Sequence, residues 1–225
     1  VGPASRRSRV PPRDAANRSG DAMILEGIVT TISADGDVNI APMGPQVDFQ
    51  PATGELTRVT LRPFRTSQTF ANLTAHGEGV LHVTDDVLLL ARSALGAFDP
   101  LPPLRPAEYV RGWVLAEACR FHEFRVIDRR DAGPTTERAH FDVEVVHTGR
   151  LRDFFGFNRA KHAVVEAAIL ATRTAFLPLD EIEAEYRKLA LLVEKTGGEQ
   201  EHAAFDFLRR HLQQVKRASN NNLHG

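Results

Sequence analysis

The sequence predicts an α+β fold, strands first and helices after. Three observations carry this. Short β-branched runs separated by turn residues fill the chain from Met23 to about Arg150. Three alanine- and leucine-rich runs with helical spacing follow. The strongest breakers, such as Gly197–Gly198, fall between runs rather than inside them.

The first strand pair is "MILEGIVTTI" and "VNIAPMG", joined by "SADGD", whose Asp35–Gly36 step is a hairpin signal. Pro42 and Pro45 cannot donate to a ladder, so the second arm ends or lies at an edge. "PQVDF" and "LTRVTLR" are further short strands about the turn "QPATGE", and a short helix covers Thr69–Ala75. "GEGVLHVTDDVLLLARSAL" reads as two more strands with Asp85–Asp86 between them. "GAFDPLPPLRPAEY" is an ordered loop. "RGWVLAEACRFHEFRVIDRR" is one long or bulged strand, and "DAGPTTER" is a turn. "AHFDVEVVHTGR" alternates, with Phe141, Val143 and Val145 on one side. "NRAKHAVVEAAILATRTAF" is apolar on more than one face, which predicts a helix buried between other elements. The next helix is expected to be capped by Asp180, with Glu183 three residues on, and to stop at Gly197–Gly198. The last carries Phe205, Leu208, Leu212 and Val215 in one stripe. The domains expected are a basic tail over 1–22, disordered by composition, a β domain over 23–150, a helical region over 151–218 and a frayed end over 219–225.

The chain's 225 residues suffice for a buried core, and its net charge of −1 implies no general nucleic-acid affinity. Val1–Gly20 holds five arginines against Asp14, a balance of +4, so the remainder carries −5 and the basic part is a tail, not a face. No run reaches the roughly 18 apolar residues of a membrane span, and the tail lacks a secretory apolar core. Cys119 is the only cysteine and reads as structural, which leaves no internal disulfide and makes cytoplasm the expected location. The nine histidines form no HExxH pair or zinc triplet, so no metal is expected. Glu117 and Glu123 read as solvated.

Three stretches could carry chemistry. In "LRPFRTSQTFANL", Arg62 and Arg65 with Thr66, Ser67 and Thr69 stand at a helix start. Guanidinium forks, hydroxyls and free amides there make a phosphate cradle. The same residues also suit a solvated turn with Ser67 as the cap. In "NIAPMG", Ala41–Gly44 follows the loss of regular pairing, so backbone groups could meet a planar ring. The alternative places Met43 in the core at a bulge. In "FFGFNRAKHAVVEA", Asn158, Arg159, Lys161 and His162 gather at a helix start, either as ligand groups or as a cap with solvated cations.

These blocks, "EGIVTTISADGDVNIAPMG", "LRPFRTSQTFANL", "VLHVTDD" and "FGFNRAKHAVVEAAILATR", resemble the DUF447 group within the flavin-reductase-like FMN-binding split barrels, over Met23 to about Val215. The resemblance implies a closed antiparallel six-stranded split β-barrel with a helical C-terminal region, assembled as a homodimer with FMN near the subunit interface. It matches Arg62, Arg65, Thr66, Ser67 and Thr69 to the phosphate segment, and Ala41, Pro42, Met43 and Gly44 to the strand edge beside the flavin ring. It matches Asn72 to the polar position of the short helix, and Asn158, Arg159 and Lys161 to a second polar block. It implies an FMN-dependent oxidoreductase acting on a small molecule, with a one-carbon, pterin-linked context. The alternatives are a non-redox binder of flavin or of a phosphorylated pterin, and a dimer with a degenerate pocket.

Overall fold

The computed structural model describes residues 23–130 and 136–221. The basic tail, residues 131–135 of the predicted turn and residues 222–225 lie outside the described residues. Ten strands and five helices follow one another: β1 (Met23–Ile24), β2 (Gly27–Ile32), β3 (Val38–Met43), β4 (Gln46–Phe49), β5 (Leu56–Leu61), α1 (Gln68–His76), β6 (Glu78–Val83), α2 (Val87–Leu95), β7 (Leu104–Pro106), β8 (Trp113–Leu115), β9 (Arg120–Arg130), β10 (His140–Arg150), α3 (Arg159–Ala171), α4 (Leu179–Thr196) and α5 (Glu199–Asn221).

The main sheet is antiparallel, in the order β1-β4-β5-β10-β9-β6-β2-β3. Its two ends are covalently continuous. β1 and β2 are halves of one kinked strand, and so are β3 and β4. The halves pair with each other on both sides of the kink, Met23 with Val47 and Gly27 with Met43, in unchanged register. Leu25 N–H donates to Pro45 O across the kink at 3.1 Å. With β4 on β5, β5 on β10, β10 on β9, β9 on β6 and β6 on β2, the ring of six strands closes. This is the split-barrel α+β architecture that the resemblance implies.

The barrel is filled by Val29, Met43, Val47, Val59, Leu61, Leu81, Phe124, Phe141 and Val143, with Leu73 of α1 inserted at one end. A polar knot seats α1 there. Asn72 Nδ2 donates to Thr31 Oγ1 (2.9 Å), and Asn39 Nδ2 donates to Thr31 Oγ1 (3.2 Å) and Thr69 Oγ1 (3.0 Å). Gln68 Nε2 donates to Asn72 Oδ1 at 2.7 Å. Outside the barrel, Ile28, Ile40, Leu115 and Ala118 form one core with α2, α3, α4 and α5. The alanine face of α3 is buried as its sequence predicts.

Four sequence expectations change. "VLLLARSAL" is helix α2, not a strand: Asp86 Oδ1 accepts from Leu89 N at 2.8 Å as its cap, and Gly96 ends it in the left-handed region. The apolar run suited either element, and the cap decides. The long strand from Arg111 divides into β8 and β9, and β8 pairs with β7 inside the proline-rich loop. Pro178, not Asp180, stands at the start of α4, and Asp180 lies in its first turn. Glu123 is fully buried, not solvated, and accepts from the amides of Glu108, Tyr109 and Val110 (3.0, 2.6 and 3.1 Å).

Two histidines are buried in the barrel wall. His82 Nδ1 lies 3.1 Å from Ile28 O, and its Nε2 accepts from Leu115 N at 3.0 Å, which fixes a neutral ring with the proton on Nδ1. Burial, opposed by the Ile28 carbonyl and assisted by His122, holds its pKa down at about 4. Burial and then Arg120 bring His122 to about 4 as well, with its Nδ1 2.8 Å from Thr148 Oγ1.

Two outcomes are expected. Asp86→Ala removes the α2 cap and lowers unfolding free energy by about 1 kcal/mol in urea titration. Both histidines titrate lower in the folded chain than in the unfolded one, so the unfolded state takes up protons first as pH falls. Their stabilisation is complete above about pH 6.5 and is lost between there and about pH 4, by about 3 kcal/mol for His82. The urea midpoint falls accordingly from about pH 7 to about pH 5. His122→Asn, which keeps a partner for Thr148 but cannot titrate, makes that fall shallower.

Candidate functional site

The barrel is closed on one half and open on the other. β4 pairs with β5 up to Gln46–Thr60. Continued in the same register, the ladder would set Pro45 opposite Leu61 and then Gly44 opposite Arg62. Instead the chain after Leu61 turns away toward α1, and β3 is left with β2 as its only sheet neighbour. The gap between them has defined ends: the Gln46–Thr60 pair at one, and the Asn39–Thr69 hydrogen bond at the other. Ala41–Gly44 forms one lip and Arg62–Ser67 the other. Two stretches singled out separately in the sequence thus face each other across one split.

Gly44 keeps its lip clear: a Cβ there would meet Ile24 Cγ2 at 2.8 Å and force that side chain to move. Pro42 is exposed and Ala41 half-buried, whereas the Met43 side chain is buried in the barrel core. The core reading of Met43 therefore holds, and β3 offers the split its backbone edge.

On the other lip, the segment after Leu61 keeps pairing with the approach to β10. Ala139 N donates to Pro63 O (3.1 Å), Arg65 N to Glu137 O (3.0 Å), and Phe64 bridges Arg138. Arg65 Nε donates to Thr136 O at 3.0 Å. Ser67 is the α1 cap, accepting from Phe70 N (3.2 Å) and donating to Phe64 O (2.7 Å). Thr66 is exposed and Thr69 is buried in the polar knot. The amides of Gln68 and Thr69 have no acceptor among the described residues. Arg62 Nε is buried and likewise has none.

Cations crowd this lip. Arg138 Nη1 donates to Arg62 O at 2.8 Å, and its guanidinium stands 3.7 Å over the Phe64 ring. Burial, then Arg62 and Arg173, push the Arg138 pKa down, against Glu137. Burial, then Arg62 and Arg130, push His140 down, against Asp142. Several cations, a buried Nε without an acceptor and two open amides on one lip suit a multiply charged oxyanion. Sequence reading missed Arg138 and His140, because only the β5–β10 pairing brings them to Arg62.

The second polar block serves another joint. Asn158 Oδ1 accepts from Ala160 N and Lys161 N (2.9 and 3.1 Å) as the α3 cap, and its Nδ2 donates to Thr196 O (3.0 Å) at the end of α4. Lys161 Nζ donates to Asp85 O (2.8 Å), Glu201 Oε1 (2.7 Å) and Gln200 Oε1 (3.3 Å), tying α3 and α5 to the loop before α2. Burial raises the Asp85 pKa, but Arg152 at 2.5 Å and the Phe155 amide at 2.6 Å outweigh it and bring it to about 2. Arg159 is exposed. This cluster and the split share no hydrogen-bond partner among the described residues.

Two family models match the chain: "Protein of unknown function (DUF447) N-terminal domain" over residues 25–152, and "Protein of unknown function (DUF447)" over residues 158–210. Among solved structures, an FMN-bound DUF447 protein from Methanosarcina mazei superposes with a TM-score of 0.70 at 24% identity, covering 85% of this chain and 96% of that one. Nitrilotriacetate monooxygenase component B from Bacillus cereus superposes at 0.46 and 16% identity, covering 65% of this chain and 83% of that one. An FMN-binding protein from Thermus thermophilus superposes at 0.44 and 14% identity, covering 66% and 80%. No curated protein matches. No described helix is long and apolar enough to cross a membrane. With its barrel and its helices both matched in order, the chain belongs to the DUF447 family.

Proposed function

We propose that the split binds FMN and that the chain is an FMN-dependent oxidoreductase acting on a small molecule. The observation that carries this is Arg62: its guanidinium Nε is buried without an acceptor on the lip that leads into α1, whose first amides, Gln68 and Thr69, are also open among the described residues. A buried charged donor without a partner is costly, and a phosphate oxygen removes that cost. The FMN-bound state of the Methanosarcina mazei protein supports the choice of anion.

In this reading Arg62 and the Gln68 and Thr69 amides hold the phosphate. Arg65 and Thr66 complete the cradle, Ser67 caps the helix that presents those amides, and Arg138 and His140 supply its positive field. Thr69 and Asn72 act one step back, holding α1 at the angle that aims its amides into the split. The Ala41–Gly44 backbone edge offers donors and acceptors to a ring edge, and Gly44 permits close approach. When bound, FMN supplies hydride and electron transfer, so the protein need not provide a nucleophile. A ring lying in so open a slot keeps one face uncovered; a second copy of the chain supplies the cover, which makes the working unit a homodimer.

The test is flavin uptake by the purified chain, read by absorbance and by native mass. The expected result is a yellow dimer with one FMN per chain. Arg62→Ala weakens FMN binding by about 10- to 100-fold with little change in thermal stability. A colourless protein that takes up no added FMN overturns the proposal. If FMN binds but reduced nicotinamides and reduced pterins never bleach it in anaerobic stopped flow, the chain is a flavin binder and not a reductase.

A further inference from the structure

The barrel has a second opening, at the end opposite the α1 plug. A cavity of about 480 Å³ lies there, floored by Leu25, Val47, Leu56 and Val83. A neighbouring hollow of about 620 Å³ shares Gly54, Leu56, Arg120, His122 and Arg150 with it. Each volume is in the range of small-molecule pockets, and barrel mouths are among the places where such pockets form.

The sequence builds this mouth through one irregularity. β9 and β10 change register between Val145 and His147, leaving Val146 over. The slip sets Thr148 opposite His122 and Arg150 opposite Arg120, in the row that continues from Phe124 and Val145 inside the barrel. Two features of the row call for a ligand. Arg120 and Arg150 are directly cross-strand, an arrangement of like charges that costs stability by itself. Arg150 is paired with Asp153, but Arg120 has no acidic partner among the described residues. His122 is 4% exposed and lines both hollows. Its Nδ1 is engaged by Thr148, and its Nε2 has no partner among the described residues. Of the three arginines that line the hollows, Arg150 is held by Asp153 and Arg152 by Asp85, which leaves Arg120 to offer its charge to a ligand.

The geometry points to a second binding site in this mouth, for a small amphipathic anion: an apolar, flat body on the Leu25–Val47–Leu56 floor with its acidic group between Arg120, Arg150 and His122 Nε2. The site is independent of the split: none of the residues on the two lips lines either hollow.

The experiment is fluorescence titration of the full chain with anilinonaphthalene sulfonate, an apolar aromatic anion, beside the neutral N-phenylnaphthylamine, each with and without saturating FMN. The expected result is one saturable sulfonate site that FMN does not displace. Arg120→Ala weakens the sulfonate roughly tenfold or more and changes the neutral dye by less than about twofold. Arg150→Gln, run in parallel against poor folding of the first variant, moves the two dyes in the same way. Equal losses for both dyes, unchanged sulfonate affinity in both variants, or displacement by FMN overturns the proposal. The dye titrations stand whether or not the chain takes up FMN.

Discussion

Everything in this molecule hangs on one backbone ladder, the pairing of the kinked strand β1–β2 with the kinked strand β3–β4. Its register does not change across the kink, so the two ends of a long sheet are tied to each other and the barrel must close. Gly44 and Pro45 stand at the bend, where a Cβ on Gly44 would meet Ile24 Cγ2 at 2.8 Å and the fixed φ of Pro45 holds the turn of the chain. Because β4 leaves the bend in a new direction, it meets β5 while β3 does not. The split is the geometric remainder of that bend, and the candidate site is what the chain places on its two lips.

Much of this was legible beforehand. The Asp35–Gly36 turn, the prolines Pro42 and Pro45 and the alternation of "FDVEVV" are local signals, and local rules read them correctly. What local rules could not decide was any run whose partners are distant. "VLLLARSAL" is apolar enough for a buried strand or a buried helix, and only the Asp86 cap and the Gly96 exit separate the two. Glu123 alternates like a solvated residue, yet it is buried because the loop that follows β7 folds three amides onto it. His82 looked like one scattered histidine, and its tautomer is set by backbone groups from two other strands.

The polar residues singled out in the sequence divide by the same criterion. Ser67 and Asn158 are helix caps, Asn72 and Thr69 seat a helix in the barrel, and Lys161 joins three elements. Each satisfies a buried or terminal group that would otherwise be unpaired. Sequence alone cannot separate such a residue from a ligand-binding one, because both need the same donors at the same helix starts. Arg62 differs in one respect that only coordinates disclose: its Nε is enclosed and yet unmatched.

The helical layer also carries a lesson in inheritance. α2 is encoded in the middle of the barrel segment, yet it packs with α3 and α5, and the same apolar mass takes in Ile28 and Ile40 from the barrel wall. The two stretches that family models recognise apart, 25–152 and 158–210, are therefore not transferable parts. A chain that kept the first and lost the second would present a long greasy flank to water. Cutting the chain near Gly156 would uncover that flank on both pieces, so the barrel and its helices fold as one unit.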